Sequence, residues 1–179
     1  MISVTKLLTR AGYLNGQRYP ESARRRGETV HRLTAELDRG AMQVATIVSR
    51  YRPYVLSYLT CVARLHPDWQ AIEHYYESAA LGLCGVPDRA GYIDGRFTIA
   101  DLKTGGLEAW HRYQLELYVL LAKPSWVTWA DCDGLTIHVN EDSYAIVRHR
   151  LDEAEAHALC GRAEDLKRAL ENTSGGKEG

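Results

Sequence analysis

The stretch from Gly85 to Gly105 restricts the fold more than any other part of this chain. Asp94-Gly95 is a turn dipeptide, and runs of β-type composition lie on both sides of it, over 85–93 and 96–103. A hairpin follows from that pattern. Side chains alternate across a strand, so Asp101 and Lys103, two residues apart, share one face. Asp88 lies on the other arm, where a folded hairpin can bring it toward them. Two carboxylates beside an amine suit divalent-metal phosphodiester hydrolysis. Carboxylate oxygens hold a hard cation, and the ammonium steadies a water or a developing phosphorane charge.

Composition narrows the setting. The chain has 179 residues, enough for one domain with a sizeable core. Its formal net charge of −1 gives no evidence of a basic nucleic-acid coat, so any such binding uses a local patch. No run of about 18 apolar residues points to a membrane span. The opening Met1-Ile2-Ser3-Val4-Thr5-Lys6 has no basic region followed by an apolar core, so no secretory leader is expected and the location expected is cytoplasmic. Cys61, Cys84, Cys132 and Cys160 are scattered with no C-x-x-C, which argues against a zinc or iron–sulphur site and for buried thiols.

Periodicity predicts a short helix and turn over 3–18, then a helix over 21–37 with Pro20 at its first turn and Gly40 as its stop. A second helical region spans 42–65, broken at Pro53. Extended segments are predicted over 69–83, 85–93 and 96–103. A helix is predicted over 108–121, then strands over 126–130, 135–139 and 144–149. A charged helix closes the pattern over 151–170, and 173–179 is polar, Gly-rich and expected to be disordered. The order α, α, βββ, α, βββ, α describes an α/β domain with a central mixed sheet flanked by helices.

At this point the motifs resemble those of the PD-(D/E)XK nuclease superfamily, in its RecB-like exonuclease branch. The match runs in order through Arg26-Gly27-x-x-Val30-His31, Gly85-Val86-Pro87-Asp88-Arg89, Ile99-Ala100-Asp101-Leu102-Lys103-Thr104-Gly105 and Gln114-Leu115-Glu116-Leu117-Tyr118. Ser3-Val4-Thr5 and Ala11-Gly12-Tyr13-Leu14 are similar to phage-type members. The resemblance covers roughly 3–123. It implies a restriction-endonuclease-like αβββαβ core in a single nuclease domain over 1–172. It implies metal ligation by His31, Asp88, Asp101 and the Leu102 carbonyl, with Lys103 as catalytic lysine and Gln114 and Tyr118 as the helical Q-x-x-x-Y pair. The cofactor implied is Mg²⁺ or Mn²⁺, and the partner is DNA. Small phage enzymes of this kind act beside a single-strand annealing protein or another recombination partner. Iron–sulphur members carry one early cysteine and three late ones. Here only Cys160 is late, so no cluster is expected.

Each residue also has a plainer explanation. His31 can be a helix-surface histidine, and Asp88 a turn aspartate beside Pro87. Asp101 is harder to explain that way, because aspartate is depleted in strands and a buried unpaired carboxylate is costly. Lys103 can blunt a strand edge. Gln114 and Tyr118 share a helix face, on which Tyr118 can serve packing alone and His111 can contact phosphate. Glu77, before Asp88, is a candidate supporting acid. Arg24, Arg25 and Arg26 form either a solvated helix face or a phosphate clamp. Arg26 and Arg89 are the expected DNA contacts, joined by Gln114 and Tyr118. The competing assignment is a non-catalytic DNA- or protein-binding module on the same fold. A different α/β enzyme lacks a supporting G-x-G-x-x-G, G-x-x-x-x-G-K or G-x-S-x-G motif.

Overall fold

A computed structural model describes residues 1–14 and 20–162. The expected disordered tail over 173–179, the end of the helix expected over 151–170 and the turn at Asn15-Gly16 lie outside the described residues. The elements in chain order are β1 (Ile2–Ser3), α1 (Val4–Arg10), α2 (Glu21–Asp38), α3 (Arg52–Leu65), β2 (Asp68–Ile72), β3 (Tyr76–Ser78) and β4 (Leu83–Gly85). They continue with β5 (Arg89–Ile93), β6 (Arg96–Lys103), α4 (His111–Ala122), β7 (Cys132–Val139) and β8 (Tyr144–His149). A last helical stretch covers 153–162.

The main sheet has the order β2-β5-β6-β7-β8. Only β6 and β7 are parallel, and α4 makes the crossover between them. The order α3-β2-β5-β6-α4-β7 is therefore an αβββαβ core within a mixed sheet. The β5–β6 hairpin turns at Asp94 and Gly95, both with positive φ (50° and 78°), the backbone that an Asp-Gly pair supplies cheaply.

Helices cover both faces. On one, α1 and α4 bury Leu7, Leu8, Leu115, Leu117 and Val119 against Phe97 and Ile99. On the other, α2 and α3 bury Val30, Tyr54 and Tyr58 against Ala100, Leu102 and Ile137. Even and odd positions of β6 thus serve two different cores, which is why the strand is buried along nearly its whole length. Among the described residues no helix is long and apolar enough to cross a membrane.

Four expectations about local structure are corrected. Pro53 does not break a helix. It sits in the first turn of α3, where its missing N–H costs nothing, and a 3-10 turn over Val44–Thr46 precedes it. The extended run over 69–83 is three short strands, because Glu73 and Gly82 take positive φ (50° and 60°) and turn the chain. The run over 85–93 divides at 86–88, since β4 joins β1 and β3 in a separate small sheet while β5 joins the main one. The strand expected over 126–130 is a turn region. Val127 N–H donates to the Pro124 carbonyl, the Lys123 ammonium caps the Val127 carbonyl, and a 3-10 turn covers Trp129–Asp131.

Candidate active site

Alternation along β5 and β6 sets the site. Arg89 pairs with Ala100 across the hairpin, so its side chain goes to the α2/α3 face. Asp88 precedes it at a bend, and its carboxylate lies at the end of β6, beside Leu102 and near Lys103. The Asp88 carboxylate accepts a hydrogen bond from the Leu102 N–H (2.6 Å) through Oδ2. Its Oδ1 lies 3.2 Å from His31 Nδ1. The N–H and C=O of one strand residue point to the same edge, so the Leu102 carbonyl faces the same gap.

His31 reaches Asp88 because α2 lays Gly27, His31, Thr34 and Asp38 along one stripe at helical spacing. Gly27 lets the helix come close: a Cβ there would lie 3.3 Å from Thr104 Oγ1. Burial lowers the basicity of the imidazole, but the adjacent Asp88 carboxylate outweighs it. The net result pushes the His31 pKa up to about 9. Burial also raises Asp88, yet His31, Lys103 and the Leu102 N–H bring it below the ordinary range. Asp101 is raised by burial and by the Asp88 charge, with Lys103 opposing.

Asp101 Oδ2 lies 2.5 Å from Lys103 Nζ, as their shared face requires. Lys103 Nζ in turn donates to Gln114 Oε1 (3.1 Å), and Gln114 Nε2 to the Tyr118 hydroxyl (3.4 Å). Burial raises the Tyr118 phenol well above its ordinary range, so it stays protonated. The Tyr118 ring fills the place where Gly85 has no side chain. A Cβ on Gly85 would meet it at 2.7 Å. His111 shares this face of α4 and is buried, and burial with the nearby Lys103 charge brings its pKa down to about 3. It lines the site as a neutral ring.

The acid that joins this cluster is Glu73, which sequence reasoning missed. One ligand atom each from His31, Glu73 and Asp88 lies within 4.8 Å of the others. Asp101 stands outside that trio, held by Lys103. Glu77, the acid considered before, is exposed and accepts from the Tyr75 hydroxyl (3.0 Å), away from the cluster. A register shift in β2 between Trp69 and Ala71 explains the difference. It pairs Ile72 with Arg89 and places Glu73 beside Asp88, where Glu73 N–H donates to the Asp88 carbonyl (2.9 Å). The signal available in the sequence was an acid at the end of the strand that pairs with β5; the bulge that aligns it was not visible.

The donor set fits a divalent cation. Carboxylates and one imidazole suit Mg²⁺ or Mn²⁺, the imidazole adding affinity for Mn²⁺. Burial and the Asp88 charge raise Glu73, with His31, Arg89 and Arg39 opposing. A cation would replace the proton on His31.

The arginines divide. Arg24 and Arg25 make exposed i,i+4 pairs with Glu28 and Glu21, the solvated-face alternative. Arg26 turns inward and donates to the Thr104 carbonyl (3.3 Å). Arg89 does not face a cleft. It is 2% exposed and its Nε donates to Asp38 Oδ2 (2.6 Å), so the expected DNA contact by Arg89 is corrected: a guanidinium enclosed under α2 cannot reach a phosphate. Two hollows flank His31. One of about 590 Å³ is lined by Arg24, Arg26, His31, Lys103, Trp110 and His111. The other, about 530 Å³, is lined by Gly27, His31, Arg32, Arg39 and Glu73.

No family model matches the chain, and no curated protein matches it. Among solved structures it is similar to the protein SSO0001, at 17% identity and a TM-score of 0.43, over 92% of this chain and 75% of that one. It is also similar to an alkaline exonuclease (LHK-Exo) from Laribacter hongkongensis, at 12% identity and a TM-score of 0.45, over 97% of this chain and 93% of that one. Likenesses at this level assign the chain neither a family nor an activity.

Proposed function

We propose that this chain is a Mg²⁺- or Mn²⁺-dependent deoxyribonuclease that acts as an exonuclease in DNA recombination, repair or replication. The observation that carries this assignment is the convergence of His31, Glu73 and Asp88 on one point, beside an Asp101–Lys103 pair whose lysine lines a groove. His31, Glu73 and Asp88 would hold the cation, and Asp101 and the Leu102 carbonyl would offer further hard oxygens beside them. When bound, the cation neutralises the scissile phosphate and lowers the pKa of a coordinated water. Lys103, steadied by Asp101 and Gln114, orients the attacking water and offsets charge at the phosphate. Tyr118, kept as a phenol, fixes Gln114. Arg26 supports the phosphate-binding role, since it lines the same groove as Lys103.

The test is digestion of end-labelled linear, circular and single-stranded DNA with Mg²⁺ or Mn²⁺. Wild type is expected to degrade linear DNA from its ends and spare circles. Lys103→Ala is expected to lose about 10²-fold in rate, the scale of one positioned electrostatic or proton-transfer group. Asp101→Ala is expected to lose at least as much. Equal background activity in all three proteins would refute the assignment, and circles cut as fast as linear DNA would make the enzyme an endonuclease.

A pH dependence follows from His31. Its proton must leave before Nδ1 can ligate, so Mn²⁺ affinity is expected to rise about tenfold per pH unit from neutrality and level off near pH 9. In the metal-free protein the sign is opposite. The folded-state pKa is raised from 6.5 to about 9, so the His31–Asp88 pair contributes its full stability below pH 6.5. That stability is lost as pH rises through about 9. Calorimetry at pH 7 in buffers of differing ionisation enthalpy is expected to show about one proton released per cation. No proton release would remove His31 from the ligand set.

A further inference from the structure

Arg89 touches, directly or through one hydroxyl, every residue of the His31–Glu73–Asp88 cluster. Its NH1 donates to the Asp88 backbone carbonyl (2.8 Å) and lies 3.8 Å from Glu73 Oε1. Its NH2 donates to Thr34 Oγ1 (3.2 Å), and the Thr34 hydroxyl donates to the His31 carbonyl (2.9 Å). Its Nε is anchored on Asp38 Oδ2, which also accepts from the Tyr58 hydroxyl (2.5 Å). Thr34 and Asp38 both belong to α2, the helix that presents His31. One planar fork therefore ties together three chain segments that are remote in sequence, at the point where their ligand atoms must meet.

We propose that Arg89 is a positioning residue for the cation site: its guanidinium sets the spacing of His31, Glu73 and Asp88 and so determines cation affinity, without contacting cation or DNA. This rests on the cation assignment above. Geometry matters here more than charge. A lysine delivers one point charge, whereas the arginine fork directs donors three ways. Groups that orient metal ligands typically contribute 10- to 100-fold in affinity.

The test is Mn²⁺ binding to the full chain, followed by electron paramagnetic resonance of free Mn²⁺ at a temperature where circular dichroism shows each variant folded. Arg89→Lys is expected to weaken Mn²⁺ binding by about 10- to 100-fold although the charge is kept. Thr34→Val cuts only the link from Arg89 to the His31 carbonyl and is expected to weaken binding several-fold, about threefold to tenfold. It decides the matter if Arg89→Lys fails to fold. A purely structural arginine would lower the melting temperature and leave the Mn²⁺ affinity of the folded protein untouched. Wild-type affinity in the folded variants overturns the role of Arg89 alone, while wild type that binds no Mn²⁺ overturns the cation site itself.

Discussion

Asp88→Asn is expected to abolish Mn²⁺ binding and to lower kcat/KM by at least about a thousandfold, since the cation supplies several kcal/mol at the transition state and each 1.36 kcal/mol is tenfold. The backbone is expected to survive. An asparagine oxygen can still accept from the Leu102 N–H, the contact that orients this side chain. What disappears is the negative charge that binds the cation and holds the His31 proton. In the metal-free variant the His31 titration, followed by NMR, is expected to fall from about 9 to its ordinary value or below, because burial alone lowers it. Activity within tenfold of wild type, or a His31 titration still near 9, would contradict the assignment of Asp88 as the charge at the centre of the site.

The largest loss of stability is expected from Gly91→Ala. A Cβ at Gly91 would lie 2.1 Å from the Asp68 carbonyl oxygen and 2.7 Å from the Trp69 Cα. Those are backbone atoms of the paired strand β2, so no rotamer change relieves the clash. The register of β2 shifts right beside this point, between Trp69 and Ala71. Overpacking of this kind costs about 3 kcal/mol, which for a chain of this length lowers the melting temperature by roughly 6–12 °C. The shift also aligns Glu73 with Asp88, so the variant is expected to bind Mn²⁺ more weakly even at temperatures where it is folded. Gly105→Ala is the control. Nothing lies within 4 Å of a Cβ there, and its stability is expected to stay within about 0.5 kcal/mol of wild type. Thermal melts of the two variants check the pair, and equal melting temperatures would mean that β2 does not approach β5 so closely.

Much of the site was legible in one dimension because it depends on local periods. Asp101 and Lys103 share a face by alternation, and Gln114 and Tyr118 share one by helical spacing; the structure joins these four in one hydrogen-bonded chain. Alternation also held the correction for Arg89. Arg89 pairs with Ala100, so alternation along the hairpin puts its side chain on the face that α2 and α3 cover, where it is buried. Glu73 was not legible, because its place depends on a one-residue slip between two strands. The failed strand over 126–130 has a similar cause. Trp126 and its neighbours have β-type composition, but local turn contacts by Lys123 and Val127 prevail where no partner strand is in reach.

The sequence by itself determined the hairpin at Asp94-Gly95, the faces of β6 and α4, and the helical stripe from Gly27 to Asp38, because each follows from a repeat of two or of three to four residues. Only the tertiary structure decided which acid completes the cluster and which arginine lies beneath it. Those depend on strand register and on how closely two segments approach, and a bulge or a missing Cβ changes both without altering any local pattern.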